Sequence, residues 1–372
     1  MGADTRAVRI CRGRYVNAHQ HGACDTRAAA KGELILLKHT EISDGRCDSG
    51  LSPESPAVSV IMPAYNVAQF IGESLDSVFK QTFDDYEVIV INDGSPDTQE
   101  LERVLEPYRR RINYIVQENR GLSGARNTGI RAARGRFIAL LDSDDLWEPD
   151  YLAVQMAEFE SDPEIDVLYP NALIFGNAPE AGKKFMDLSP STGSVTFESL
   201  VTQRCNVMVS VTARREMIER VGMFDEKLRS VEDFDLWLRV LKAGGRIKYH
   251  RRVLVRYRRW QGSLSSDPVW MCKHVLQVLE KAGRTFNLSP TERQTLDRAR
   301  SGFRAKLMLQ EGKRAFFHGD TKAAINNLTE ANAFFKSRKI KLTLWLLRLT
   351  PQLLLRAYNV RDRFFLRTST KF

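Results

Sequence analysis

Four short apolar runs punctuate the first half of the ordered chain, and the first three are each followed by a turn and a segment of helical character. Val58-Ser59-Val60-Ile61-Met62 has the almost unbroken apolar character of a strand buried on both faces, and Pro63 stops it. From Val67 to Gln81 the apolar residues Phe70, Ile71, Leu75, Val78 and Phe79 fall at amphipathic helical spacing. Glu87-Val88-Ile89-Val90-Ile91 is a second buried strand and ends in the turn cluster Asn92-Asp93-Gly94-Ser95-Pro96. A helix over about 97–110 and a weaker strand over 113–116 follow. Next comes a helix from Gly121 to Arg134, rich in small residues that let it approach a sheet or a ligand closely. Phe137-Ile138-Ala139-Leu140-Leu141 is the next strand, and it runs directly into Asp142-Ser143-Asp144-Asp145.

Strands alternating with helices predict an α/β architecture, a mostly parallel sheet with helices on its faces and right-handed crossovers. In that topology the turn at 63–66, the turn at 92–95 and the acidic cluster share the carboxyl edge of the sheet, where such folds bind nucleotides. Three carboxylates within four residues repel one another unless a cation sits between them. They are therefore read as a divalent metal site that holds a diphosphate, against the plainer alternative of an acidic surface turn.

Beyond Pro149 the pattern predicts a helix to about Glu160, a strand at 167–169, a loop-rich segment over 174–196, a strand over 207–212 and a helix over 214–221. Glu232 to Leu241 opens a further helix with acids in its first turn, where the helix dipole favours them, and 246–255 returns as a strand. From 267 onward the pattern is helical only. Residues 311–334 read as two short helices around a Gly319-Asp320 turn, like one unit of a helical-hairpin repeat. Residues 1–56 show no sustained periodicity and read as a poorly structured leader with one strand over 34–37. The chain thus divides into a leader (1–56), an α/β domain (57–266) and a helical C-terminal region (267–372).

Charge changes this picture at one end. The 372-residue chain carries a net charge of +10, and residues 335–372 hold ten Lys or Arg against the single acid Asp362. The rest of the chain is close to neutral, so the basicity belongs to the tail. Residues 340–367 mix Leu-rich and basic positions and are interrupted by Pro351, which suits a helix lying on an anionic membrane surface. No run of about 20 apolar residues exists, so no spanning helix is expected. The tail's Leu content and lack of a nucleic-acid motif argue against nucleic acid as its partner. Five widely spaced Cys without C-x-x-C suit reduced thiols, and no secretory signal is visible, so a cytoplasmic protein is expected, peripheral on the inner face of the plasma membrane. His19, His21 and Cys24 lie close in sequence but have no structured context that would make them a metal site.

Five segments, in order, resemble the family 2 inverting glycosyltransferases of the GT-A fold. They are Val-Ser-Val-Ile-Met-Pro-Ala-Tyr-Asn (58–66), Glu-Val-Ile-Val-Ile-Asn-Asp-Gly-Ser (87–95), Gly-Leu-Ser-Gly-Ala-Arg-Asn-Thr-Gly (121–129), Leu-Leu-Asp-Ser-Asp-Asp (140–145) and Val-Glu-Asp-Phe-Asp-Leu-Trp-Leu-Arg (231–239). The resemblance implies a GT-A domain with a helical C-terminal extension and a nucleotide-sugar donor, with uracil suited to Asp93. Pro63 and Tyr65 would line the base pocket and Asp93 would accept a hydrogen bond from the base. Arg126 would contact base or diphosphate, and Ser143 would belong to the nucleotide-binding turn. Asp142 would reach the ribose and the metal shell, and Asp144 would ligate Mg²⁺ or Mn²⁺. Asp233 would be the catalytic base, with Glu232 beside it as the alternative.

The resemblance also implies a glycan or lipid-linked acceptor. The chain departs from the family where Trp260 stands at a position often held by His. It also lacks the Gln-x-x-Arg-Trp motif and spanning helices of processive synthases, so a non-processive enzyme is expected. Two other classes are weighed. Nucleotidyl transfer would call for a Gly-rich phosphate loop after the first strand, which is missing. A non-catalytic binding protein on a transferase fold is at odds with Asp93, Asp142, Asp144 and Asp233 all being present.

Overall fold

The computed structural model describes residues 55–208, 210–260 and 267–352. The leader's strand at 34–37, the His19, His21, Cys24 cluster and the far part of the basic tail lie outside them. The chain opens with β1 (Val58–Ala64), α1 (Ala68–Phe79), β2 (Tyr86–Asp93), α2 (Thr98–Leu105), β3 (Asn113–Gln117), α3 (Gly121–Ala132) and β4 (Phe137–Leu140). It continues through β5 (Leu146–Trp147), α4 (Tyr151–Ser161), β6 (Val167–Gly176), the short helices α5 (Phe185–Leu188) and α6 (Phe197–Val201), β7 (Thr212–Arg214), α7 (Arg215–Arg220), α8 (Glu232–Lys242) and β8 (Ile247–Arg259). Among the described residues four helices follow: α9 (Pro268–Thr285), α10 (Pro290–Phe317), α11 (Thr321–Phe335) and α12 (Arg338–Leu349).

Among the described residues eight strands form one sheet in the order β3-β2-β1-β4-β7-β6-β8-β5. β1, β2, β3 and β4 are mutually parallel, as the alternating pattern predicts. β7 runs antiparallel between β4 and β6, and β5 closes the far edge antiparallel to β8. Every residue of β1 and β4 is buried, which accounts for their continuous apolar character. Pro63 fits inside a central strand because the β1–β4 ladder ends two residues earlier, at Ile61 and Leu140. Its missing N–H faces the side where pairing has stopped.

Several boundaries differ from the pattern-based reading. The strand expected over 207–212 is the three-residue β7, because only Thr212–Arg214 lie between β4 and β6. β6 reaches Gly176 and β8 reaches Arg259, since each pairs with the other well past the core. The expected pair of short helices at 311–334 is instead the end of α10, 28 residues long, and α11, joined at Gly319-Asp320. Asp320 caps α11 by accepting from the Ala323 N–H at 2.9 Å.

The main core does not stop at 266. Leu276, Val278, Leu279 and Ala282 of α9 and Leu296 and Phe303 of α10 belong to the same buried cluster as the sheet. Lys281 of α9 also sits 2.7 Å from both Asp225 and Asp235, which ties α9 to α8. A second, small core holds Phe316, Ala324, Leu328, Leu344 and Leu347. No helix among the described residues is long and apolar enough to cross a membrane.

Candidate active site

The carboxyl edge of the sheet gathers the expected residues. The turns after β1 and β2 are stitched together there. Asn66, left-handed at φ 54°, donates its N–H to Ser95 Oγ at 2.7 Å, and the Ala68 N–H reaches Asp97 Oδ2 at 2.9 Å. Gly94 has φ +63°, and a Cβ there would come within 2.8 Å of the Asn119 backbone nitrogen, so only glycine fits the turn. This brings Asp93, 2% exposed, beside the start of α3, where its Oδ1 accepts from Gln117 Nε2 at 2.6 Å and from the Arg120 N–H at 2.8 Å. Both bonds fall on one oxygen. Tyr65, at the end of β1, is 51% exposed and offers a free ring face nearby in the chain.

The acidic turn is held from three directions. Ser143 Oγ donates to the Pro63 carbonyl at 2.8 Å, and the Ser143 carbonyl accepts from Ser74 Oγ at 2.8 Å. Ser143 therefore locks the turn to β1 and α1. Asp145, buried at 2% exposure, accepts the Arg258 N–H at 2.8 Å, so it fixes the turn to the end of β8. Burial, with Asp144 and Asp142 close by, raises its pKa well above the usual carboxylate range. Arg258 in turn donates through Nε to the Asp144 carbonyl at 2.7 Å and reaches Glu73.

Trp260 settles what takes the place of the family's histidine. Its indole Nε1 donates to Asp144 Oδ2 at 2.9 Å, and its ring meets Phe70 edge-on with centroids 5.2 Å apart. An indole N–H is a donor only and cannot ligate a cation. Its effect is to fix one oxygen of Asp144. Burial first, and then the Asp142 charge, raise the Asp144 pKa.

Arg126 carries the least expected placement. It is 0% exposed, and the structure puts it between two carboxylates rather than on a ligand-facing surface. One guanidinium nitrogen is 2.7 Å from Asp142 Oδ1 and another is 2.5 Å from Glu232 Oε1. Burial would lower its pKa, but Asp142 and Glu232 more than reverse that and raise it. The helix can deliver a buried Arg here because α3 lies against the sheet. A Cβ at Gly129 would fall 2.5 Å from Ile61 and 2.9 Å from Ile91. The neighbouring Asn127 exchanges two 2.9 Å bonds with the Phe224 backbone and so anchors the segment that leads to α8. Gly129 thus serves the approach of α3 to the sheet.

At the start of α8, Val231 adopts the left-handed conformation at φ 61°. For a β-branched residue this is strained by about 1–3 kcal/mol. It sets Glu232 inward, buried against Arg126, and leaves Asp233 half-buried with its Oδ1 accepting from the Phe234 N–H at 2.8 Å. Burial and the adjacent Glu232 charge push Asp233 up to about 7, with Arg126 and the Phe234 bond pulling the other way. Glu232 is occupied by the Arg126 guanidinium, whereas among the described residues no cation is bonded to Asp233. A carboxylate poised near neutrality has the affinity for protons that general-base chemistry requires.

Among the described residues no group of three or more His, Cys, Asp or Glu could hold a metal by itself. Asp142 and Asp144 supply two hard oxygen ligands at most. That fits a Mg²⁺ or Mn²⁺ whose remaining positions are filled by donor phosphates and water.

A mixed sheet of this order, with carboxylates at the carboxyl edge and a second acidic pair brought in by α8, is what the resemblance to GT-A glycosyltransferases implies. The profile described as Glycosyl transferase family 2 matches residues 59–211. A glucosyltransferase of Escherichia coli, WfgD, named as acting from UDP-Glc on α-D-GlcNAc-diphosphoundecaprenol, is 33% identical over 225 residues, covering 60% of this chain and 85% of that one. The uncharacterized glycosyltransferase EpsJ of Bacillus subtilis is 32% identical over 226 residues, 57% of this chain and 64% of its own. The chain belongs to glycosyltransferase family 2.

The chain spans only 30% and 35% of the length of two Rickettsia relatives that it matches. Among solved structures, S. aureus TarS 1–349 in complex with UDP-GlcNAc aligns with a TM-score of 0.54 at 20% identity, over 82% of this chain and 91% of that one. The Pyrobaculum calidifontis mannosyltransferase PcManGT with GDP-Man and Mn²⁺ aligns with a TM-score of 0.52 at 19% identity, over 86% and 87%. These likenesses establish the shared fold.

Arg258 and Val231 carry no signal in sequence spacing. Arg258 sits in a run of basic residues on β8, and its bonds to Asp145 and the Asp144 carbonyl show that it is the one that meets the acidic turn.

Proposed function

We propose that the protein transfers single sugars from a UDP-sugar to a hydroxyl of a lipid-linked or cell-surface glycan, with inversion. The observation that carries this is Arg126, which ties the acidic turn and the Glu232-Asp233 pair into one site. Residues 57–266 would form the catalytic domain, with the helices from 267 onward bracing α8. Tyr65 and Pro63 would border the base and Asp93 would accept its imide N–H through Oδ2, Oδ1 being already engaged. Asp142 and Asp144 would hold Mg²⁺ or Mn²⁺, which would neutralise charge on the departing diphosphate. Asp233 would take the proton from the acceptor hydroxyl as that oxygen attacks the anomeric carbon on the face opposite the diphosphate. The relative whose acceptor is a diphosphoundecaprenol supports a lipid-linked acceptor, which would be met at the cytoplasmic face of a membrane.

The test is a hydrolysis screen of nucleotide sugars with Mn²⁺ or chelator. Turnover of one UDP-sugar is expected, lost with chelator and in Asp144→Ala. Full activity in that variant refutes the metal assignment. Trp260→Phe retains the contact with Phe70 but deletes the bond to Asp144. It is expected to weaken Mn²⁺ binding in the presence of UDP by about tenfold, the low end for lost ligand-orienting bonds. Electron paramagnetic resonance of free Mn²⁺ reads this directly, and unchanged binding would show that Trp260 does not position Asp144.

A further inference from the structure

The helix α12 has two apolar faces, and among the described residues only one is packed. Its inner stripe, Leu344 and Leu347 with Ile340, packs into the small core with Phe316, Ala324 and Leu328. Its outer stripe, Leu342, Trp345 and Leu349, is 58%, 57% and 59% exposed. These three are spaced i, i+3 and i+7, so they line one side of the helix.

Cations flank that side. Arg338, Lys339, Lys341 and Arg348 are exposed on α12, and Lys336 is exposed just before it. None of the five has a carboxylate partner within 4.0 Å among the described residues, and α12 contains no acid. Elsewhere on the surface, Arg and Lys are commonly paired, as at Arg246 with Asp162 and Glu164, Arg252 with Asp150, and Arg314 with Asp267. Unpaired cations also occur elsewhere, but on α12 five of them lie together around an apolar stripe on a helix that carries no acid.

We propose that the outer face of α12 seats the enzyme on an anionic lipid bilayer, with Leu342, Trp345 and Leu349 entering the interface and the flanking cations meeting lipid phosphates. An apolar centre ringed by cations is what an interfacial helix presents to such a surface, and tryptophan favours the headgroup level. A second copy is a poor occupant, because apposing two such faces would bring two sets of five unpaired cations together. Nucleic acid would leave the apolar centre unmatched. The membrane-held acceptor proposed above supplies the purpose and rests on that reading, but the lipid contact itself does not depend on it.

The test is flotation of the full chain with vesicles of phosphatidylcholine alone or with about 30% phosphatidylglycerol. Binding is expected only to the anionic vesicles, falling at least tenfold between about 50 and 500 mM salt as the lipid charge is screened. The double variant Leu342→Glu/Trp345→Glu is expected to lose at least tenfold in partitioning, with its melting temperature and its UDP-sugar hydrolysis unchanged. Replacing Lys339, Lys341 and Arg348 by Gln is expected to do the same. No binding of the wild type to anionic vesicles overturns the proposal. So does undiminished binding of the double variant, which would assign the contact to another part of the chain. A self-association that the double variant abolishes, with no vesicle binding, overturns it in favour of a second copy. Loss of UDP-sugar hydrolysis in the wild type would instead count against the proposed reaction and leave the lipid result standing.

Discussion

Replacing Arg126 with methionine is expected to lower the free energy of unfolding by about 3 kcal/mol and to abolish transfer. Removing one partner of a buried ion pair leaves the other charge uncompensated, which costs about 3–5 kcal/mol. The lower end applies because the Asp142 side chain is 27% exposed and water can reach it, whereas Glu232 at 6% has little such relief. Methionine fills much of the volume left by the arginine stem, so the loss would report the charge more than a cavity. Arg126→Lys is expected to recover part of the stability and little of the activity. One ammonium is a compact charge and cannot present separate nitrogens to Asp142 and Glu232 as the guanidinium fork does. Denaturant unfolding of the three proteins checks this. An Arg126→Met protein within about 1 kcal/mol of wild type would show that the buried triad does not hold the site together.

Replacing Asp233 with asparagine is expected to lower kcat by about a hundredfold to ten-thousandfold, the usual worth of a general base, with UDP binding unchanged. The amide oxygen can still accept the Phe234 N–H, so the start of α8 should keep its geometry. The same variant should be more stable than wild type at neutral pH. Asp233 has a folded pKa raised to about 7 against an ordinary value of 3.8. Its folded form therefore holds the proton more tightly, and its contribution to stability is lost as pH rises from about 4 through about 7. The asparagine variant should lack that loss, so its advantage should appear above about pH 5 and vanish in acid. Expected transfer rates and melting curves point in opposite directions, as they do where a site is held strained for function. Glu232→Gln separates the two neighbours. It should destabilise by exposing Arg126 to an unbalanced partner set, and it should not reproduce the selective loss of kcat.

Much of this was legible before any coordinates. β1, β2 and β4 are buried on both faces, so their sequences are continuously apolar and their ends are visible at Pro63, Asn92 and Asp142. Parallel topology then placed those three ends on one edge. Short elements were harder. β7 has three residues and β5 two, and each exists only because a neighbouring strand supplies its partners. The full lengths of β6 and β8 were hidden for the same reason. Within the site, residue types announced the carboxylates but not what neutralises them. The resemblance suggested a ligand contact for Arg126 and for Ser143. Packing instead buries the first between Asp142 and Glu232 and turns the second onto the Pro63 carbonyl. Trp260 reads as a departure at a position often held by His, and its indole bond to Asp144 depends on where β8 ends.

The proposed role of Asp233 is the centre of the account, and the pH dependence of kcat/KM for the nucleotide-sugar donor tests it most directly. That parameter follows the ionisation of the free enzyme. It is expected to rise about tenfold per pH unit below the Asp233 pKa and to level off above about 7, with the rise absent in the residual activity of Asp233→Asn. A wild-type profile that stays flat from pH 8 down to about 5 would contradict Asp233 as the base.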